Sequence, residues 1–203
     1  MRAASALLPL LLLLPAPGRT TEVRFRTPAD ACPVEPAERW GWRVEVYSEA
    51  PGQWLVRTQA SGQALPDPEA LRPLAEAVRA VKARMAYASD AWTEDPDQAL
   101  RAGRGNCISF TAVLERDLKD LGYRSRRVHG LLFSPDASVS PYYLAPLHAT
   151  PHRWLEVFTA DFGWVPLDPV APQGRLTGRH VALRGDDTAG WVRGMTVEVL
   201  RWD

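Results

Sequence analysis

Reactive sulfur is scarce in this chain: 203 residues include two cysteines, Cys32 and Cys107, and three methionines. Two thiols cannot build the multi-bridge framework that staples small secreted domains. Charge of one sign is also lacking, with 24 Lys plus Arg against 24 Asp plus Glu. That balance gives no reason to expect nucleic acid as a partner. No internal repeat occurs, which excludes solenoids and propellers. The one long apolar run ends at Leu14, short of the roughly 20 residues that span a bilayer.

That run has its own meaning. MRAASALLPLLLLLPAPG opens with Arg2, continues apolar to Leu14, and places Ala16 and Gly18 three and one residues before a cleavage point. This pattern marks residues 1–18 as a signal peptide and implies a secreted or periplasmic protein without stable membrane association afterwards. Cys32 lies too far beyond the run for a lipid anchor. The remaining length suits one soluble domain with its own core. In an exported chain two cysteines can form a single Cys32–Cys107 disulfide, and composition alone leaves that open beside a free, reactive thiol.

Residues 19–39 are rich in proline and charge and are expected to form an irregular N-terminal arm, with the folded domain over 40–203. Alternation at Trp42, Val44 and Val46, then at Trp54, Val56 and Thr58, around Pro51-Gly52, predicts a β-hairpin over 42–59. Asp67-Pro68 offers a cap and a first-turn proline for a helix reaching Tyr87, with Leu71, Leu74, Val78, Val81 and Met85 on its core face. A short helix follows Asp95-Pro96. Gly103-Arg104-Gly105-Asn106 then breaks the pattern, and from Ile108 a second amphipathic helix runs with Phe110, Leu114, Leu118 and Leu121 on one stripe, ending at Gly122. Strands are expected at Arg127–Phe133, His152–Thr159, Trp164–Asp168 and near the C-terminus. Helices first and strands later give an α+β fold with a mostly antiparallel sheet.

Cys107 therefore lies at a helix N-terminus, where free amides and the helix dipole favour a thiolate. His152 opens one strand and Asp168 closes its hairpin partner. Their even separation puts both side chains on one face at a direct or two-residue offset. A carboxylate beside an imidazole fixes its tautomer and stabilises the cation it becomes as a base. A thiol packed on that edge would complete a nucleophile, base and orienting group. His148 with His152, Cys107 and Asp168 could imitate a metal set, but no close ligand pair sits on a regular element, so no metal is expected. His129 and His180 read as structural. Trp154, Glu156 and Trp164 suit packing and strand pairing, and Arg126 suits pairing with a buried carboxylate.

GRGNCISFTAVLERDLKDLGYRSRRVHG resembles the transglutaminase-like pattern of glycine, cysteine, helix and Gly-x-x-x-Arg-x-Val-x-Gly, here Gly122, Arg126, Val128 and Gly130. HRWLEVFTADFGWVPLDPV resembles that family's His-x-Trp-x-Glu and Gly-Trp-x-x-x-Asp-Pro segments, here His152, Trp154, Glu156, Gly163, Trp164, Asp168 and Pro169. The closing RHVALRGDDTAGWVRGMTVEV is also similar, and the likeness covers residues 65–199. Asn106 departs from the residue relatives often carry before the cysteine. The resemblance implies a papain-like thiol-enzyme fold of the bacterial, exported, single-domain kind, in which Cys107 is the nucleophile, His152 the base and acid, and Asp168 the orienting carboxylate. It implies an amide hydrolase or acyltransferase working through a thioester on a peptide or protein substrate, as a monomer, with no cofactor. A catalytically silent module that binds peptide or a cell-envelope polymer is the alternative. Substrate contacts are expected from Trp92, a candidate by its position upstream of the cysteine although a core tryptophan is the more natural reading, from Tyr142 and Tyr143 in a loop spanning 134–151, and from Trp154.

Overall fold

The structure, a computed structural model, describes residues 20–27, 31–61, 67, 69–138, 147–172, 174–185 and 195–202. Its elements run β1 (Thr20–Arg26), β2 (Ala37–Arg39), β3 (Trp42–Ala50), β4 (Gln53–Ala60), α1 (Arg72–Arg84), β5 (Ala86–Tyr87), α2 (Pro96–Ala102), β6 (Arg104–Gly105), α3 (Cys107–Asp120), β7 (Arg124–Ser138), β8 (Leu147–Thr159), β9 (Gly163–Leu167), β10 (His180–Ala182) and β11 (Thr196–Trp202). The architecture is α+β. One antiparallel sheet has the order β11-β1-β4-β3-β2 and a second β10-β7-β8-β9, while β5 and β6 make a short parallel pair.

The expected irregular arm is corrected at both ends. Thr20–Arg26 is an interior strand, paired with β11 on one side and β4 on the other. Its period is two: Val23 and Phe25 are fully buried, while Glu22 and Arg24 face outward. The charges that suggested an arm are cross-strand partners, Arg24 with Glu49 and Glu198, and Glu22 with Arg57. Farther along, Val34 bridges Leu183, extending the second sheet beyond β10. The next two strands turn at Pro51-Gly52, where Gly52 takes a φ of 69°.

Helix α1 begins at Arg72, not Asp67. Asp67 instead closes a local turn, its Oδ1 accepting from the Glu69 N–H at 3.0 Å. Pro73 explains the late start: it lacks an N–H and its ring would collide with the carbonyl four residues back, so it must fall within the first turn. After Met85 the backbone becomes extended and Ala86–Tyr87 pairs with Arg104–Gly105. In α3 the stripe is Phe110, Val113, Leu114 and Leu118. Leu121 caps the helix and is 61% exposed, because the chain has already turned away toward Gly122. Each fully buried Leu or Val contributes about 1.5–3 kcal/mol.

Of the expected 134–151 loop, residues 134–138 and 147–151 are strand, and 139–146 lie outside the described residues. Together β7 and β8 form a long hairpin whose regular register runs from Arg124↔Phe158 to Phe133↔Ala149 and shifts only before Ser138↔Leu147. On β8, Ala149, Leu155 and Val157 share one face. Ala149 joins Leu131 and Phe133 in the core shared with the five-stranded sheet, whereas Leu155 and Val157 join the core under the helices. The opposite face carries His152, Trp154 and Glu156. Glu156 is 2% exposed and receives Arg39 at 2.6 Å and a two-pronged Arg126 at 2.8 and 2.5 Å. Glu156 is buried but Arg39 and Arg126 are 30% and 51% exposed, so losing either arginine destabilises the carboxylate while solvent screening tempers the cost. Among the described residues no helix is long and apolar enough to cross a membrane.

Candidate active site

Cys107 is the first residue of α3. Asn106 caps the helix with Oδ1, accepting from the Ile108 N–H at 2.9 Å, which gives this residue a defined role. Three contacts fix the helix end. The Asn106 N–H donates to the Ala91 carbonyl at 2.8 Å. Ser109 Oγ accepts from the Thr93 N–H at 2.9 Å and donates to the Thr93 carbonyl at 3.1 Å. Thr111 Oγ1 donates to the Arg153 carbonyl at 3.3 Å, tying the helix to β8 beside His152. Gly105 leaves room for this packing, since a Cβ there would meet the Ser109 side chain.

Strand pairing explains the other two groups. The β8–β9 register runs from Thr159↔Gly163 to Leu155↔Leu167. Continued by one residue, it sets Asp168 opposite Trp154, two residues from His152 and on the same face. His152 Nε2 donates to Asp168 Oδ2 at 2.9 Å. The same ring is electrostatically coupled to the Cys107 thiol, and with Nε2 on Asp168 its free nitrogen is Nδ1. Cys107, His152 and Asp168 are 9%, 7% and 1% exposed, so the array is shielded from water.

Shielding and pairing oppose one another at each group. Burial pushes the Cys107 thiol up, but the His152 hydrogen bond and charge, with the Arg153 N–H, outweigh it and hold the thiol below its ordinary range. Burial pushes His152 down, yet Asp168 and Cys107 together raise it to about 10. Burial pushes Asp168 up, and its hydrogen bonds to His152 and His180 hold it far below the usual carboxylate range. The lowered thiol, raised imidazole and lowered carboxylate all shift the balance toward thiolate, imidazolium and ionised carboxylate.

His180, read from sequence as structural, belongs to this cluster. It lies on β10, and its Nε2 reaches the same Asp168 Oδ2 at 3.0 Å. Asp168 Oδ1 accepts from the Val170 N–H at 2.9 Å, and Lys82 braces the following turn through the carbonyls of Ala171 and Pro172. His152, Asp168 and His180 offer atoms within 4.8 Å of one another, compact enough for a metal. The chemistry favours hydrogen bonding, because a carboxylate only accepts, so both Nε2 atoms carry protons and lack the lone pair a metal needs. His148 is held by the Ser134 carbonyl at 3.2 Å, four residues along the strand from His152.

The expected substrate contacts divide. Trp92 is 62% exposed, between the two residues whose backbones anchor to Asn106 and Ser109. Trp154 is corrected: at 1% exposure it is a core residue, its ring over Gly130 and against His152 and His180. It cannot line a groove. Tyr142 and Tyr143 lie outside the described residues. Tyr87, which sequence placed at a helix end, is 60% exposed and feels the charges of Cys107 and Asp168. Both cysteines are free thiols, Cys32 packing against the core between the sheets.

Eight solved chains match the structure. One is a putative cysteine protease from Cytophaga hutchinsonii, 11% identical, with 91% of this chain and 89% of that chain covered and a TM-score of 0.47. No curated protein matches. A family model described as the transglutaminase-like superfamily matches residues 53–169, more than half of the sequence. The chain belongs to the transglutaminase-like superfamily.

Proposed function

We propose that this protein is an exported cysteine-dependent amide hydrolase or acyltransferase acting on peptide or protein substrates. The observation that carries the reading is the Cys107 thiol, at a helix N-terminus and held below its ordinary range by His152, whose Nε2 is 2.9 Å from a buried carboxylate. The thiolate adds to the amide carbonyl, forming a C–S bond and moving the π electrons onto oxygen. The Cys107 backbone N–H is the natural donor to that oxyanion, worth about 3 kcal/mol. As the intermediate collapses, the C–N bond breaks and the His152 imidazolium protonates the departing amine, leaving a thioester. Neutral His152 then takes a proton from water or a second amine, which attacks the thioester and releases the thiolate. Thiol and imidazole supply the nucleophile and the proton carrier, so these steps need no cofactor.

Hydrolysis is the preferred outcome, and exposed Trp92 and Tyr87, with Tyr142 and Tyr143, are the proposed substrate contacts. The protein is taken to act as a monomer, after removal of residues 1–18. The test is intact-mass analysis of protein mixed with a panel of peptide amides and stopped in acid. The expected result is a transient adduct of acyl mass on Cys107, resolved by water or added amine. Reversible peptide binding with no adduct would overturn the reading and leave a silent binding module.

A further inference from the structure

Two histidines share one oxygen in this protein, and the sharing has a defined proton order. His180 Nδ1 accepts from the Thr177 backbone N–H at 3.0 Å, so that nitrogen carries no proton. Its proton must therefore sit on Nε2, which donates to Asp168 Oδ2 at 3.0 Å. Burial keeps the ring neutral, since desolvation and the neighbouring His152 charge outweigh the pull of Asp168. The ring is 8% exposed, packed edge-on to Trp154 with centroids 5.7 Å apart and 5.5 Å from His152. Its strand pairs His180 with Leu132, beside the Gly130↔His152 pair. Gly130 permits this closeness, because any Cβ there would strike both the Val181 carbonyl and the Trp154 ring.

We propose that His180 is a positioning residue for Cys107 chemistry: as a fixed, neutral donor it shares Asp168 Oδ2 with His152 and so sets how readily His152 releases its proton. The inference rests on the proposed thiol mechanism. A carboxylate oxygen with two donors gives each a weaker bond than one donor would receive. Without His180, the Asp168 charge falls undivided on His152, which then holds its proton too firmly to pass it to a leaving amine. The other groups facing this cluster are Cys107 from α3, Lys82 from α1 and Tyr87 from β5; none donates to Oδ2 in its place.

The test compares the full chain with His180→Met, similar in size but without a donor, and His180→Gln, which restores an N–H. The His152 ring-proton titration is followed by NMR, and kcat and KM are measured on a peptide amide. In His180→Met the titration midpoint is expected to rise by about 0.5–1 pH. There kcat is expected to fall about tenfold or more, with KM within about twofold. His180→Gln should recover both toward the parent. A midpoint that stays or falls in a folded His180→Met protein, with only thermal stability reduced, would make His180 purely structural. Because the titration needs no turnover, an inactive parent would sink the proposed function while this question is still decided.

Discussion

Replacing Cys107 by alanine is expected to lower kcat/KM on any amide substrate by about 10⁴-fold or more, into the range seen when a nucleophile is removed from a cooperating set. Such an effect is far larger than loss of packing can explain. Deleting one buried sulfur should cost about 1 kcal/mol of stability, so the melting curve should remain cooperative. Serine should rescue little. A hydroxyl ionises far less readily than a thiol, and the charges around Cys107 favour an anion at that position. Kinetics and thermal melts of both variants decide the point: near-parental turnover in either would remove Cys107 from the chemistry.

Asp168→Asn should be nearly as severe, with turnover down by about 10⁴-fold at unchanged fold, as expected where a carboxylate fixes a tautomer. The amide can keep its oxygen on the Val170 N–H only by turning its own NH₂ toward the two Nε2–H donors. His152 must then move its proton to Nδ1, which faces sulfur and can no longer accept from it. Stability should also respond to pH with a definite sign. The Asp168 value is depressed in the folded state, so its contribution is present above about 4 and is lost as the solution is acidified further. The His152 value is raised to about 10, so its contribution is full below about 6.5 and lost as pH rises through 10. Urea unfolding at a series of pH values should show both slopes in the parent and flatter slopes in Asp168→Asn. Parallel profiles would mean the two groups are uncoupled.

Most of the candidate site was legible in the sequence, and the reasons are local. Two glycines and an asparagine before an amphipathic run locate the start of α3, and an even spacing across a tight hairpin puts His152 and Asp168 on one face. The parts that escaped depend on distant neighbours. Nothing near His180 reveals that β10 lies against β7 beside His152. The outward charges of β1 hid its period-two pattern until their partners on β3, β4 and β11 were known. Prolines made 134–151 look like loop, yet 134–138 and 147–151 are strand and Pro151 pairs with Leu131. Trp154 shows the opposite error, an aromatic beside the base that serves the core.

The most direct measurement is the rate of Cys107 alkylation by iodoacetamide across pH, in a Cys32→Ser background that removes the other thiol. An ion pair set up by His152 requires fast alkylation at mildly acidic pH, level through neutrality and changing only near 10, where His152 loses its proton. A rate that stays low and climbs in a single step at about 8.5, as for an isolated thiol, would show that sulfur, imidazole and carboxylate do not act as one unit.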